Sequence, residues 1–176
     1  MTEALERLDG RIGEAWSGDV PNGSHVNVVL ARRGSPTAAA IVGALAAPRP
    51  GYLPFLACLS PGVVVRPTTV VINKSSVEGN ERLGRITWGA AQLGVAQGIL
   101  DAVADGVLDA ALADEVVVLV AVWVDPDAHD ESAVKRSNRS AVRTAVADAL
   151  GSRSPEEVGA LASTRESAAN IYYGGD

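Results

Sequence analysis

The run VVVLVAVWV at residues 116–124 decides the fold. It carries no charge, is rich in β-branched residues and is apolar on both faces of a strand, which is typical of a central strand buried on both sides. A helix that crosses a bilayer needs about 20 apolar residues, so this run is too short for one. We therefore build the predicted sheet outward from residues 116–124.

The segment SHVNVVLARRGSP at 24–36 predicts the neighbouring strand and the turn that follows it. Its side chains alternate, which predicts a strand over 25–31 with two distinct faces. The two faces carry Val26, Val28 and Leu30 on one side, and His25, Asn27, Val29 and Ala31 on the other. Ser35 and Pro36 form an N-cap followed by a proline in the first helical position, which predicts a helix that ends near Ala47.

The remaining pattern supplies the other elements of a single domain over 1–176. We predict helices at 2–16, 80–106, 131–150 and 155–162, and strands at 51–60 and 64–76. This order predicts the α/β (α+β) class: a two-layer sandwich of a mixed sheet with helices packed on one face. Regular β-α alternation is missing, which argues against a Rossmann fold. In the tail, whether Tyr172 and Tyr173 dock on the body or on a neighbouring subunit stays open.

Composition excludes several classes of function. The net charge of −6 gives no general reason to bind nucleic acid or anionic membranes. One cysteine and two histidines are too few for a Cys/His zinc site within one chain. The nucleotide-binding patterns GxGxxG and GxxxxGK[ST] and the GxSxG elbow are missing. The charged N-terminal segment is unlike a signal peptide, so we expect a cytoplasmic protein.

Two pairs of polar side chains on strands are candidates for chemistry. His25 can exchange a proton near neutral pH, and Asn27 follows on the same face at roughly 6.6 Å along the strand. Lys74 and Ser76 share a face in the same way. Each pair has a plainer interpretation: polar residues on a half-exposed strand, or a lysine that extends to water.

Two residues of the long helical segment are candidates for ligand binding. The amide of Gln92 both donates and accepts hydrogen bonds, which suits the edge of a heterocycle. Trp88 is suited to stacking on a flat ligand or to filling the core. An exposed helix glutamine and a core tryptophan are the plainer interpretations.

Several spaced motifs together resemble the formaldehyde-activating enzyme family. They are His25 with the turn Arg33-Gly34-Ser35-Pro36, Gly51-Tyr52, Arg66-Pro67 ahead of Asn73-Lys74, and WGAAQLGVAQGILDAVADGV at 88–107. The resemblance runs from about Ser24 to Leu150, and 151–176 is a C-terminal extension. No single motif is decisive, but the ordered set at matching spacings is fairly specific.

The resemblance implies a fold and a reaction. Members have a fold like the second domain of ribosomal protein S5, and they condense formaldehyde with tetrahydromethanopterin to the methylene-bridged pterin with loss of water. The expected protein is thus a carbon–nitrogen lyase that takes tetrahydromethanopterin, or a related reduced pterin, as co-substrate and needs no metal. It is expected to form a homopentamer with sites between subunits, to act on small-molecule substrates, and to bind neither nucleic acid nor membranes.

Residue roles follow by position from the same resemblance. His25 matches the catalytic histidine, which we expect to act as general acid. The expected substrate-binding residues are Asn27, Leu56, Lys74, Ser76, Trp88 and Gln92. Asn27 stands where the family has aspartate, Ser76 where it has threonine, and Trp88 where it has phenylalanine. The loss of charge at Asn27 leaves two alternatives open: an enzyme for another amine or aldehyde in a biosynthetic pathway, or a non-catalytic protein that binds a pterin or aldehyde adduct.

Overall fold

The computed structural model of the chain describes residues 2–168, so Tyr172 and Tyr173 lie outside the described part. The strands within it are β1 (Ile12–Ser17), β2 (Ser24–Arg32), β3 (Phe55–Leu56), β4 (Cys58–Ser60), β5 (Val63–Val64), β6 (Thr68–Asn73) and β7 (Val116–Val124). The α-helices are α1 (Thr2–Leu8), α2 (Pro36–Ala44), α3 (Glu81–Ile86), α4 (Gln92–Ala104), α5 (Glu131–Leu150) and α6 (Pro155–Ser163). A π-helical turn, Thr87–Ala91, joins α3 to α4.

The main sheet has five strands in the order β1-β2-β7-β6-β3. The strand β7 lies at its centre, antiparallel to β2 and parallel to β6, as the apolar run predicts. The outer pairs β1–β2 and β3–β6 are antiparallel, which makes the sheet mixed. The short strands β4 and β5 form a separate antiparallel pair.

One face of the sheet carries the main helical layer. The inward residues Val26, Val28 and Leu30 are fully buried in a core shared with α4 and α5. The two helices pack closely because a Cβ on Gly94 or Gly98 would collide with the backbone of α5. This arrangement confirms the predicted two-layer sandwich.

The other face is covered only in part. Ala38 and Ile41 of α2 pack on Ala31, Val70 and Val117, which lie on three adjacent strands. One helix therefore lies on the face opposite to α4 and α5. The start of β2, which carries His25 and Asn27, lies at the other end of this face from the contact with α2.

The helix predicted over 2–16 is wrong beyond Leu8. Gly10 adopts a left-handed conformation with φ of 77°, which ends the helical turn. The chain then enters β1, where Ile12 is 67% exposed while Ala15 is buried. Gly13 approaches the backbone of α5 so closely that a Cβ there would collide with it. Apolar residues three and four apart therefore indicated one helix extending over α1 and β1, and the strand β1 was not predicted.

The strands predicted over 51–60 and 64–76 are each interrupted. Proline lacks the N–H that a ladder needs, and Pro67 separates β5 from β6. The segment 51–60 forms only β3 and β4, separated by the buried Ala57. The strand β6 ends at Asn73, whose side-chain amide donates to the carbonyls of Gly51 and Ser75 at 2.7 Å each. Those bonds tie the end of β6 to the segments around Gly51 and Ser75.

The predicted caps of the helices are confirmed. Ser35 accepts a hydrogen bond from the backbone N–H of Ala38, and Ser154 forms a capping box with Glu157. The helix predicted over 131–150 ends ahead of Gly151 as expected. The segment 80–106 is helical as predicted, although the π-helical turn within it was not foreseen. Among residues 2–168, no helix is both long and apolar enough to cross a membrane.

Candidate active site

Glu14, His25, Asn27 and Lys74 form one hydrogen-bonded cluster on the sheet face that α2 covers in part. Nζ of Lys74 lies 2.5 Å from Nδ1 of His25 and donates to Oδ1 of Asn27 at 2.9 Å. Oε1 of Glu14 lies 2.6 Å from Nε2 of His25. Side chains from β1 and from the residue after β6 therefore contact both ring nitrogens of the imidazole.

Strand register places these groups together. Glu14 pairs with Asn27 across β1 and β2, so the two side chains project from the same face. Lys74 directly follows β6, and its backbone N–H donates to the carbonyl of Val122 at 2.7 Å. Lys74 thus stays on the sheet at the level where β2 begins, which brings it to His25.

Two tryptophans flank the imidazole. His25 pairs with Trp16 on β1 and with Trp123 on β7, so all three side chains share a face. The two indoles also contact each other, with ring centroids 5.6 Å apart and an angle of 37° between planes. The indole N–H of Trp16 donates to the carbonyl of Gly18 at 2.8 Å. Partly exposed indoles beside an imidazole form a surface suited to a flat heterocycle.

Lys74 is a titratable group in this setting. Burial lowers the pKa of Lys74 from 10.5 to about 8, and the negative charge of Glu14 opposes that shift in part. Asn27 accepts a hydrogen bond from the ammonium but adds no charge to stabilise it. A substantial fraction of Lys74 is therefore uncharged at mildly alkaline pH.

Two of the other predicted residues lie outside this cluster. Leu56 pairs with Val70 on β6 and packs, partly buried, in the apolar group beneath α2. Ser76 is exposed, and its hydroxyl accepts a hydrogen bond from the backbone N–H of Glu78 at 3.3 Å. The prediction that Ser76 continues the strand face of Lys74 is wrong, because β6 ends at Asn73.

Gln92 and Trp88 lie in the helical layer, on the opposite side of the sheet from His25. The amide of Gln92 donates to the carbonyl of Cys58 at 2.8 Å. It lines a cleft of about 470 Å³ together with Ser60, Glu131 and Lys135. Trp88 is 43% exposed, so it does not fill the core. A single chain therefore does not bring Gln92 and Trp88 to the histidine cluster.

Glu14, Trp16 and Trp123 were missed by sequence reasoning. Glu14 and Trp16 lay in the segment assigned to a helix, where their strand alternation was not considered. Gly10, two residues after Leu8, was the available signal for a helix end. Trp123 belonged to a strand that was predicted, but its pairing with His25 depends on a register that the sequence does not reveal.

The cluster can perform proton transfer. It contains an imidazole, a carboxylate and a lysine of lowered pKa within hydrogen-bond reach of one another. Within residues 2–168, no group of three or more histidine, cysteine, aspartate or glutamate side chains is arranged to hold a metal ion.

Comparison with known proteins identifies the family. The family model described as "Formaldehyde-activating enzyme (Fae)" matches residues 12–172. Over 146 residues the chain is 37% identical to a 5,6,7,8-tetrahydromethanopterin hydro-lyase of Methanosarcina barkeri, covering 83% of this chain and 82% of the relative. Over 139 residues it is 32% identical to a bifunctional enzyme Fae/Hps of Methanothrix thermoacetophila, covering 79% of this chain. The aligned part is 35% of that bifunctional relative.

The family match begins at β1 and therefore includes Glu14, which precedes the motifs that first indicated the resemblance. The match covers most of the chain, and the hydro-lyase is aligned over most of its own length as well. The chain belongs to the formaldehyde-activating enzyme family.

Proposed function

We propose that the chain condenses formaldehyde with tetrahydromethanopterin, or a related reduced pterin, to the 5,10-methylene derivative with loss of water. The observation that carries this proposal is the similarity to a tetrahydromethanopterin hydro-lyase over 82% of that relative's length. The imidazole of His25, set in a polar cluster beside two indoles, supports it. The reaction is that of a carbon–nitrogen lyase, and its substrates are small molecules.

His25 is the proposed general acid. One amine of the pterin adds to the carbon of formaldehyde, and its proton passes to the oxygen to give a carbinolamine. The C–O bond breaks as the imidazolium of His25 protonates the leaving hydroxyl, which departs as water. The second amine closes on the iminium carbon, and the proton it loses returns to His25. The protons therefore balance over one turnover.

The other residues have proposed binding roles. Asn27 and Lys74 lie in the histidine cluster, and Leu56 lies on the same sheet face. Formaldehyde is small and reacts without a catalyst, so much of the gain comes from the orientation of the two reactants. Ser76 has the weakest structural support, because it is exposed and bonded to the backbone of Glu78.

Gln92 and Trp88 support a site shared between subunits. In one chain they lie across the sheet from His25, so they reach a bound pterin only if it contacts a second copy as well. This separation supports the proposed homopentamer with sites at the interfaces. Cytoplasmic location and a lack of nucleic-acid and membrane partners belong to the same proposal.

Asn27 favours a second candidate, an enzyme of the same fold that acts on another amine or aldehyde. A carboxylate at this position would accept hydrogen bonds from the amino and N–H groups of a pterin. The amide of Asn27 donates as well as accepts hydrogen bonds and has no charge. A panel of reduced pterins, folates and simple amines, each mixed with formaldehyde and analysed by mass spectrometry, separates the two candidates. A gain selective for tetrahydromethanopterin would exclude the second one.

The central experiment measures condensation of formaldehyde with tetrahydromethanopterin with and without the protein. We expect the accelerated rate to fall to the spontaneous rate in His25→Gln while circular dichroism is unchanged. His129→Gln is the matched control, because His129 is the only other histidine and is exposed. Pterin binding by calorimetry without any acceleration in the native protein would instead indicate a non-catalytic binding protein.

A further inference from the structure

Nδ1 of His25 and Nζ of Lys74 face each other. Only one of these two nitrogens can place a proton in the space between them. Nδ1 and Nζ are 2.5 Å apart, and a hydrogen bond needs a donor on one side and a lone pair on the other. Either the ammonium of Lys74 donates to a neutral imidazole, or the imidazolium of His25 donates to a neutral amine. The two arrangements differ only in the position of one proton.

We propose that His25 and Lys74 share one proton, and that Glu14 is a positioning residue that holds this proton on His25. Glu14 does so by accepting a hydrogen bond from the N–H of Nε2, at 2.6 Å from its Oε1. This inference rests on the proposed function, because the imidazolium prepared in this way is the acid that protonates the carbinolamine.

The surroundings favour the proton on His25. A hydrogen bond from an imidazolium to a carboxylate is assisted by charge, so Glu14 stabilises the protonated ring. Lys74 is half-buried, and that burial disfavours its ammonium. Asn27, its other partner, is neutral. Trp16 from β1 and Trp123 and Ala121 from β7 are the non-titrating neighbours of His25 and Asn27 on this face, and Glu14 is the charged group that acts on Lys74.

Nε2 is the nitrogen that meets the substrate. The side chain of Glu14 is 55% exposed, so an incoming hydroxyl can replace its carboxylate at Nε2. Nδ1 is held by Lys74, which is half-buried. When Nε2 gives its proton to the hydroxyl, the C–O bond breaks and water leaves. Nδ1 keeps its proton and its bond to the Lys74 amine, and the ring-closing amine returns a proton to Nε2.

A titration without substrate tests the sharing. The chain has two histidines, so imidazole ¹⁵N resonances are assigned with His129→Gln, and His129 calibrates the full size of a protonation shift. We expect the imidazole resonances of His25 to change in two steps, because two groups that share a proton titrate as a pair. In Lys74→Met we expect a single step. A single step in the native protein, or an upper step that persists in Lys74→Met, overturns the sharing.

Glu14→Gln tests the positioning role. Without the carboxylate the shared proton moves toward Lys74, so we expect the amplitude of the upper step at His25 to fall by roughly half or more. Glu3→Gln is the matched control, because Glu3 is an exposed glutamate of α1. An unchanged amplitude in Glu14→Gln overturns the role of Glu14 and leaves the sharing intact.

The titration and the condensation assay can fail independently of each other. Two titration steps in a protein that fails to accelerate condensation would leave the shared proton in place and remove the proposed reaction. Accelerated condensation by a protein in which the His25 resonances change in one step would support the proposed reaction and overturn the shared proton. In the folded variants, kcat in Glu14→Gln should fall with KM for the pterin little changed, because Glu14 acts through His25. An increase in KM alone would indicate that Glu14 only binds substrate.

Discussion

Nζ of Lys74 lies 2.5 Å from Nδ1 of His25, although 49 residues separate the two in the chain. The contact joins the end of β6 to the start of β2 across the central strand β7, which pairs with both. The central strand β7 pairs with β2 on one side and β6 on the other, which sets the positions of both. The apolar run of β7 therefore also determines the position at which Lys74 contacts His25.

The lowered pKa of Lys74 predicts a pH-dependent stability. The folded chain holds this proton only below about pH 8, whereas an unfolded lysine keeps it to about 10.5. Between these values the unfolded state binds more protons, so this group makes the protein more stable as the pH rises. The cost that folding imposes on binding this proton is fully present below pH 8 and disappears as the pH passes 10.5.

Lys74→Met removes that cost and measures it. We expect the stability of the variant relative to the native protein, measured as the free energy of unfolding, to be larger at pH 7 than at pH 10.5 by on the order of 1–3 kcal/mol. Urea titrations at the two pH values give the difference. Lys135→Met, at the other lysine of the chain, which lines the cleft beside Gln92, is the control and should show no such change. A pH-independent difference for Lys74→Met would contradict the lowered pKa of Lys74.

The fold was predictable in those segments where the residue pattern was compatible with only one type of secondary structure. The strand β7, the alternation of β2, the cap at Ser35 and the end of α5 before Gly151 each follow from local chemistry. The error in β1 arose because apolar residues three and four apart continue across Gly10. In that segment the sheet register, which is a long-range property, overrides the local spacing.

The site was predictable only in part for the same reason. The sequence placed His25 and Asn27 on one face of one strand, and the structure confirms their alternation. Their association with Lys74 and Glu14 needs two further strands in register, which no local pattern specifies. The resemblance to the family indicated Lys74 but gave no geometry, and it gave no sign of Glu14.

The indoles beside His25 predict a fluorescence response to ligand. A reduced pterin bound over this face contacts Trp123 or Trp16, so we expect it to change their emission. Trp123→Ala should weaken binding about 10-fold, since an aromatic contact contributes about 1.5 kcal/mol. Titration of emission against ligand gives both values. Trp88→Phe, which places the family's residue at the remaining tryptophan, is the comparison. Unchanged binding in Trp123→Ala would contradict a pterin bound over the face of His25.

The close approach of α4 and α5 predicts that Gly98→Ala destabilises the protein. A Cβ at this position would lie 2.6 Å from the carbonyl oxygen of Arg139 and 2.9 Å from Cβ of Val142. The helices must separate to admit it, at a cost of about 1–3 kcal/mol. Gly159→Ala in α6 is the control, because its added methyl group meets open space and alanine favours a helix. Thermal unfolding that ranks the two variants in the opposite order would contradict the packing.

Asn27→Asp restores the residue that is typical of the family and tests the choice of co-substrate. The carboxylate would receive the ammonium of Lys74 in place of the amide, so we expect the pKa of Lys74 to rise. It would also accept charge-assisted hydrogen bonds from a pterin, which contribute about 1.5–3 kcal/mol and correspond to roughly 10- to 100-fold in affinity.

Affinity for tetrahydromethanopterin, measured by calorimetry, should therefore increase in Asn27→Asp, and the pH dependence of Lys74 acylation, followed by mass spectrometry, should shift upward. Asn27→Ala separates the two effects, because it removes the contact with Lys74 without adding charge. If tetrahydromethanopterin affinity falls in Asn27→Asp while another reduced pterin or amine binds the native protein more tightly, Asn27 selects a different co-substrate, and the second candidate function replaces the first.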